Sequence, residues 1–217
     1  MPSLFPLNNL QAVIFDCDGV LFDTESVYLQ KKEAFLKENG IIPTDDELAS
    51  MIGFAFPQAL KLCYPDLKNS DELAKAYYAQ CHYELIDYKQ IFDADILKVL
   101  PVLKAKGLKI GCASNSNTQR LRKALDENGI LNYFDAVISM EMVSKGKPDP
   151  AVYQLALKEL DVDAQKCLAL EDSAAGIKAA KRAGCVVAAK KHPRFKINQS
   201  ESDVVIDGLC EIMNLIV

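Results

Sequence analysis

The sequence predicts an α/β domain built on a mostly parallel sheet, with a small helical domain inserted after the first strand. Three observations carry this. Short β-rich apolar runs alternate with amphipathic helical periods. The runs are continuous rather than alternating, as strands buried on both faces should be. From Thr24 to about Ile91 there is no convincing strand, only helical patterns.

In chain order, the first strand is Ala12–Phe15. In the inserted segment Val27, Tyr28, Ala34 and Phe35 repeat at helical spacing up to a stop at Asn39-Gly40, and further helical patterns cover Leu48–Ile52, Gln58–Tyr64 and Asp71–Tyr88. Ile96–Lys106 is helical again but contains Pro101, which either kinks that helix or makes it start late. The strand Leu108–Ala113 precedes a helix marked by Leu121, Ala124 and Leu125 and closed by Gly129. After the strand Ala136–Ile138, residues Val152, Tyr153, Ala156, Leu157 and Leu160 form one apolar helix face. The strand Cys167–Leu170 leads to a helix marked by Ile177 and Ala180 and closed by Gly184. Glycine just past a helix end suits the left-handed cap. Strands Cys185–Ala189 and Val204–Ile206 complete the pattern.

Composition excludes several classes. The 217 residues suffice for one large domain or two small ones. Hydrophobic residues at 50% and charged residues at 25% describe a globular chain rather than a disordered one. The net charge is −5, with no run of like charge, so neither nucleic acid nor an anionic membrane is an expected partner. No apolar run reaches the ~18–20 residues of a membrane span. Met1 to Leu10 lacks a basic segment before an apolar stretch, so no secretory signal is expected and a cytoplasmic location is. The seven cysteines, Cys17, Cys63, Cys81, Cys112, Cys167, Cys185 and Cys210, are odd in number and include no Cys-x-x-Cys, which suits free thiols in a reducing compartment. His82 and His192 lie far apart and beside no cysteine or carboxylate cluster, so zinc is not expected.

Three loops carry the chemistry. In Asp16-Cys17-Asp18-Gly19 two aspartates sit two apart at a strand end; extended alternation would point both carboxylates the same way, and Gly19 permits a sharp turn. Alone, this pattern is also an ordinary Asp-Gly turn. Ser114-Asn115-Ser116-Asn117-Thr118 ends the second strand. It reads equally as a helix N-cap cluster and as a phosphate site at a helix N-terminus. Glu171-Asp172-Ser173-Ala174-Ala175-Gly176 ends a third strand and also suits a cap. All three follow the C-terminal ends of strands, the edge at which open α/β sheets bind ligands. Asp16, Asp18, Glu171 and Asp172 would then crowd together. Two carboxylates ~4 Å apart repel by ~4 kcal/mol at an effective dielectric of 20. Oxygen ligands without His or Cys select a hard cation, so Mg²⁺ is the expected cofactor. With Lys147 and the Ser114 hydroxyl, such a site would receive a phosphoryl group.

Asp16 through Glu25, Ser114-Asn115, Lys147-Pro148-Asp149-Pro150 and Glu171 through Gly176 resemble, in order, the four motifs of the haloacid dehalogenase superfamily, in its sugar-phosphatase and β-phosphoglucomutase branch. The resemblance covers essentially the whole chain. It implies a Rossmann-like catalytic core from residues 1–22 and 92–217 and a helical cap from 23–91. It also implies an aspartyl-phosphate mechanism. Asp16 would be the nucleophile and Asp18 the general acid, then base. Ser114 and the Asn115 amide would hold phosphate oxygens. Lys147, with Lys145 as its competitor, would neutralise charge. Asp16, the Asp18 carbonyl and Asp172 would bind Mg²⁺, with Glu171 as a further or outer ligand. Asp23 and Thr24 read mainly as hinge and helix cap, and Cys17 has no expected role beyond its backbone.

Dehalogenation is disfavoured because Asp18 is present. Phosphonate cleavage would need a cap lysine in a motif that none of the cap lysines supplies. The expected function is a Mg²⁺-dependent phosphatase of small phosphorylated metabolites. A β-phosphoglucomutase-like phosphomutase is the alternative, and a non-catalytic phosphate-binding regulator comes third. Against the mutase, the first arginine is Arg120, so the cap has none. Tyr28 takes the place of a histidine expected after the first motif, and Gly53-Phe54-Ala55-Phe56-Pro57 offers aromatic rings where a cap arginine would be expected. From Thr24 to Gln90 there are 11 acidic and 7 basic residues, which does not favour a bisphosphate. The expected oligomeric state is a monomer or weak dimer.

Overall fold

Ala12–Phe15 forms β1, with every residue buried. β1 lies inside a sheet whose other strands are β2 (Lys109–Ser114), β3 (Ala136–Ser139), β4 (Cys167–Glu171), β5 (Val186–Lys190) and β6 (Val204–Ile206). This computed structural model describes residues 7, 9–52, 54–80, 86–192 and 197–216. The spatial order is β3-β2-β1-β4-β5-β6, and all neighbouring pairs are parallel. From β1 the chain proceeds outward to β2 and β3, then returns to lay β4 on the other side of β1. The order therefore reverses between β1 and β4, the switch point where α/β sheets bind ligands.

Both sheet faces are covered, which is why the strands read as continuous apolar runs. On one face Ala12, Ile14, Ala113, Ile138, Ala169 and Val187 pack with Val152, Tyr153, Ala156 and Leu160 of α7 (Ala151–Leu160) and with Ile177 and Ala180 of α8 (Ala174–Ala183). The alternate residues of the same strands, Val13, Phe15, Ile110, Cys112, Leu168 and Leu170, are equally buried. Helix α5 (Ile96–Ala105) packs on β2, and α6 (Thr118–Glu127) packs on β3. Gly184 does close α8, at φ +92. Pro101 does not make α5 start late: it lies inside the helix, on its exposed side.

The chain divides into two compact units, the described residues of Met1–Phe22 with Tyr88–Val217, and those of Asp23–Asp87. Tyr88 goes with the first because its buried ring packs edge-on against Phe22, centroids 5.2 Å apart. The second unit holds α1 (Thr24–Glu38), α2 (Asp45–Ser50), α3 (Phe56–Cys63) and α4 (Ser70–Gln80). Asp23 caps α1 by accepting from the Ser26 amide. Thr44 and Glu47 form a reciprocal capping box that starts α2.

Three expectations for this unit are corrected. The buried stripe of α1 is Leu29, Lys32, Phe35 and Leu36, whereas Ala34 is exposed. A lysine in that stripe defeats an apolar pattern; its ammonium is satisfied by the Met51 and Phe54 carbonyls at 3.0 and 2.9 Å. The helical reading Asp71–Tyr88 runs too far: α4 is described to Gln80, residues 81–85, including Cys81 and His82, lie outside the described residues, and Ile86–Tyr88 are not helical. Phe56 is not a ring offered by a loop, since it is 1% exposed and packs edge-on against Phe35 and face to tilted face with Tyr77 in this unit's own core. Phe54 stays exposed, and Gly53 lies outside the described residues.

Candidate active site

Asp16 is the first residue past β1, and its amide still bonds the Leu170 carbonyl of β4 at 2.8 Å, so its side chain is presented at the switch point. Glu171 ends β4 and Asp172 follows it. All three carboxylates are buried, and each offers an oxygen within 4.8 Å of the others. Among the described residues this is the one His/Cys/Asp/Glu group so arranged. The described cysteines are free thiols and take no part in it.

Lys147 lies in this cluster. Its ammonium donates to Asp16 Oδ1 at 2.7 Å, Glu171 Oε1 at 2.6 Å and the Ala113 carbonyl at 2.8 Å, with the side chain 4% exposed. Burial opposes this charge, but the Asp16 and Glu171 carboxylates outweigh it and the pKa rises above that of an ordinary lysine. One ammonium cannot balance three buried carboxylates. Burial first, then the charges of Glu171 and Asp18, outweigh Lys147 and push the Asp16 carboxyl up to about 8. An all-oxygen pocket with excess negative charge suits a hard divalent cation. Glu171 has partners besides Lys147. Its Oε1 also accepts the buried Tyr153 hydroxyl at 2.6 Å, and its Oε2 accepts from the Asp172 amide and the Ser173 hydroxyl. Lys145, by contrast, is exposed.

Asp18 departs from expectation. β1 ends at Phe15 and the chain folds back on itself: the Leu21 and Phe22 amides meet the Cys17 carbonyl, and the Gly19 amide meets the Phe22 carbonyl. Strand alternation therefore does not extend to residue 18, and the Asp18 carboxylate is not in the Asp16 cluster. Its Oδ1 pairs with Arg120 Nη2 at 2.9 Å, and its Oδ2 accepts from Ser116 Oγ at 2.7 Å and Ser114 Oγ at 3.4 Å. Gly19 makes this turn at φ +83, and a Cβ there would sit 2.0 Å from Asp172 Oδ2.

The loop after β2 also differs from a bare helix N-terminus. The Thr118 amide is taken by Glu141 at 2.9 Å and the Arg120 amide by the Asn117 cap at 2.9 Å. The Ser114 hydroxyl is buried and accepts the Ser116 amide. The Asn115 side chain accepts from the Lys147 amide and donates to the Lys147 carbonyl. Ser116, Tyr153, Arg120 and Tyr88 are site neighbours that the sequence does not assign: Ser116 sits in the 114–118 loop, Tyr153 reads only as part of an apolar helix face, and no local pattern ties Arg120 or Tyr88 to the site.

A family model described as haloacid dehalogenase-like hydrolase matches residues 13–190, a span that contains every loop above. The chain belongs to this family. It is 31% identical to a phosphorylated carbohydrates phosphatase of Thermotoga maritima, over 81% of this chain and 82% of that protein. It is 32% identical to a β-phosphoglucomutase of Bacillus subtilis, over 81% and 80%. In structure it resembles a β-phosphoglucomutase of Clostridium difficile with a TM-score of 0.66 at 23% identity, over 95% and 96% of the two chains, which shows the shared fold. Among the described residues, no helix of this haloacid dehalogenase-like hydrolase is long and apolar enough to cross a membrane.

Proposed function

We propose that the protein is a Mg²⁺-dependent phosphatase of small phosphorylated metabolites, acting through an aspartyl-phosphate on Asp16. The observation that carries this is the buried triad of carboxylates around Lys147, with Asp18 held apart from it. In this reading one Asp16 oxygen is held by Lys147 while the other attacks phosphorus. The bond from phosphorus to the leaving oxygen breaks, and Asp18 supplies the proton that oxygen needs. Asp18 then takes a proton from water as water attacks phosphorus, the bond to Asp16 breaks, and inorganic phosphate leaves. Ser114 and the Asn115 amide hold phosphate oxygens. Lys147 neutralises the nucleophile and the transferring group, and Glu171 holds Lys147 in place. Mg²⁺ bound by Asp16, Asp172 and the Asp18 carbonyl would stabilise charge on the phosphoryl oxygens. Residues 23–87 serve as a cap that governs substrate choice and water entry.

The second reading is a phosphomutase, favoured by the likeness to the B. subtilis enzyme. Two features favour hydrolysis. The stretch from Thr24 to Gln90 has no arginine to grip a second phosphate bidentately, and the first arginine of the chain is committed to Asp18. The relatives include a phosphatase of phosphorylated carbohydrates, so the test is a panel of sugar monophosphates that includes β-glucose 1-phosphate with a bisphosphate primer. Inorganic phosphate is the expected product, lost on chelation and restored by Mg²⁺. Isomer forming much faster than phosphate would establish the mutase. Turnover by protein shown metal-free by elemental analysis would remove the cation from the account.

A further inference from the structure

Asp18 has two demanding jobs in the proposed reaction, and its carboxylate must be aimed for both. Arg120, on the first turn of α6, places Nη2 2.9 Å from Asp18 Oδ1, and Ser116 Oγ sits 2.7 Å from Oδ2, so each carboxylate oxygen has its own donor. Arg120 is itself held. Its Nε donates to the Tyr88 hydroxyl, and its guanidinium carbon lies 5.8 Å from the Tyr88 ring centroid. Tyr88 is 4% exposed and packs on Phe22, the residue that closes the Asp18 turn by accepting the Gly19 amide. Arg120 thus joins α6, the Asp18 turn and Tyr88 in one charged, half-buried network. A planar fork fixed at two points sets direction in a way that a flexible ammonium does not.

We propose that Arg120 is the positioning residue for Asp18, with Tyr88 fixing the guanidinium, and that it acts on the reaction only through Asp18. The inference rests on the assignment of Asp18 as the group that protonates the leaving oxygen. Its signature is therefore dependence on the leaving group. An ester of a strongly acidic alcohol departs without help, whereas a weakly acidic one needs a proton delivered along the right line.

The probes are p-nitrophenyl phosphate and phenyl phosphate, close in shape but different in leaving-group acidity, assayed with Mg²⁺. The readout is kcat/KM, which reports steps up to transfer of the phosphoryl group to the enzyme. Asp18→Asn serves as the reference. Arg120→Ala is expected to lower kcat/KM for phenyl phosphate by about 10²-fold and for p-nitrophenyl phosphate by less than about 5-fold, with KM nearly unchanged for both. Tyr88→Phe removes one hydroxyl and keeps the ring packing, so it should show the same discrimination at smaller size even if Arg120→Ala folds poorly. In the Asp18→Asn background, Arg120→Ala should cost nothing more. If Asp18→Asn discriminates between the esters while Arg120→Ala and Tyr88→Phe lower both equally, or only raise KM, Arg120 serves substrate binding or the fold and the inference is overturned. If Asp18→Asn itself treats the esters alike, or the wild type hydrolyses neither, the reading of Asp18 fails first and takes the inference with it.

Discussion

Asp16→Asn is expected to lower turnover by more than about 10⁴-fold while leaving the fold intact. Phosphate monoesters hydrolyse so slowly unaided that loss of the covalent nucleophile cannot be mild. The substitution nearly preserves shape at a position 6% exposed. Stability without divalent cation should move the other way, and with pH. The folded-state pKa of Asp16, about 8, lies above the ordinary 3.8, so its contribution to stability is full below about pH 4 and is lost as pH rises towards 8. The amide has no proton to lose. The stability of Asp16→Asn relative to wild type, measured by urea unfolding with a chelator present, should rise between about pH 5 and 8. Retention of a tenth of wild-type activity, or a stability difference flat in pH, would contradict the site as described.

Lys147→Ala should be damaging in both respects. It removes the ammonium that three acceptors share and leaves Asp16, Glu171 and Asp172 without a counter-charge in a buried pocket. Breaking a buried pair by deleting one partner costs about 3–5 kcal/mol. That loss is expected in chelator, together with loss of turnover, and added Mg²⁺ should recover part of the stability but not the activity. A chelator-free and chelator-treated stability equal to wild type, within about 1 kcal/mol, would show that the lysine is not what balances these carboxylates.

The six strands were legible because burial on both faces leaves continuous runs such as Ala12–Phe15 and Cys167–Leu170, and because parallel strands need intervening helices. That Asp16, Lys147, Glu171 and Asp172 meet followed from a topological rule about strand ends rather than from any contact visible in sequence. Legibility failed where a side chain is committed to a distant partner. Lys32 occupies a buried helical stripe because two carbonyls around residues 51–54 await it. Asp18 leaves the carboxylate cluster because Arg120, 102 residues further on, takes one of its oxygens. The α6 N-terminus is closed by Glu141, which no cap rule applied to 114–118 could foresee. Each is a long-range pairing of polar groups, to which hydrophobic periodicity is blind.

In the proposed reaction the phosphoryl group passes through Asp16. Quenching the enzyme during turnover of p-nitrophenyl phosphate with borohydride reduces an acyl phosphate to an alcohol, and peptide mass spectrometry then locates the reduced residue. One reduced site is expected, at Asp16, absent from Asp16→Asn and from enzyme without substrate. Rapid phosphate release with no reduced residue, or with reduction at another carboxylate, would contradict it.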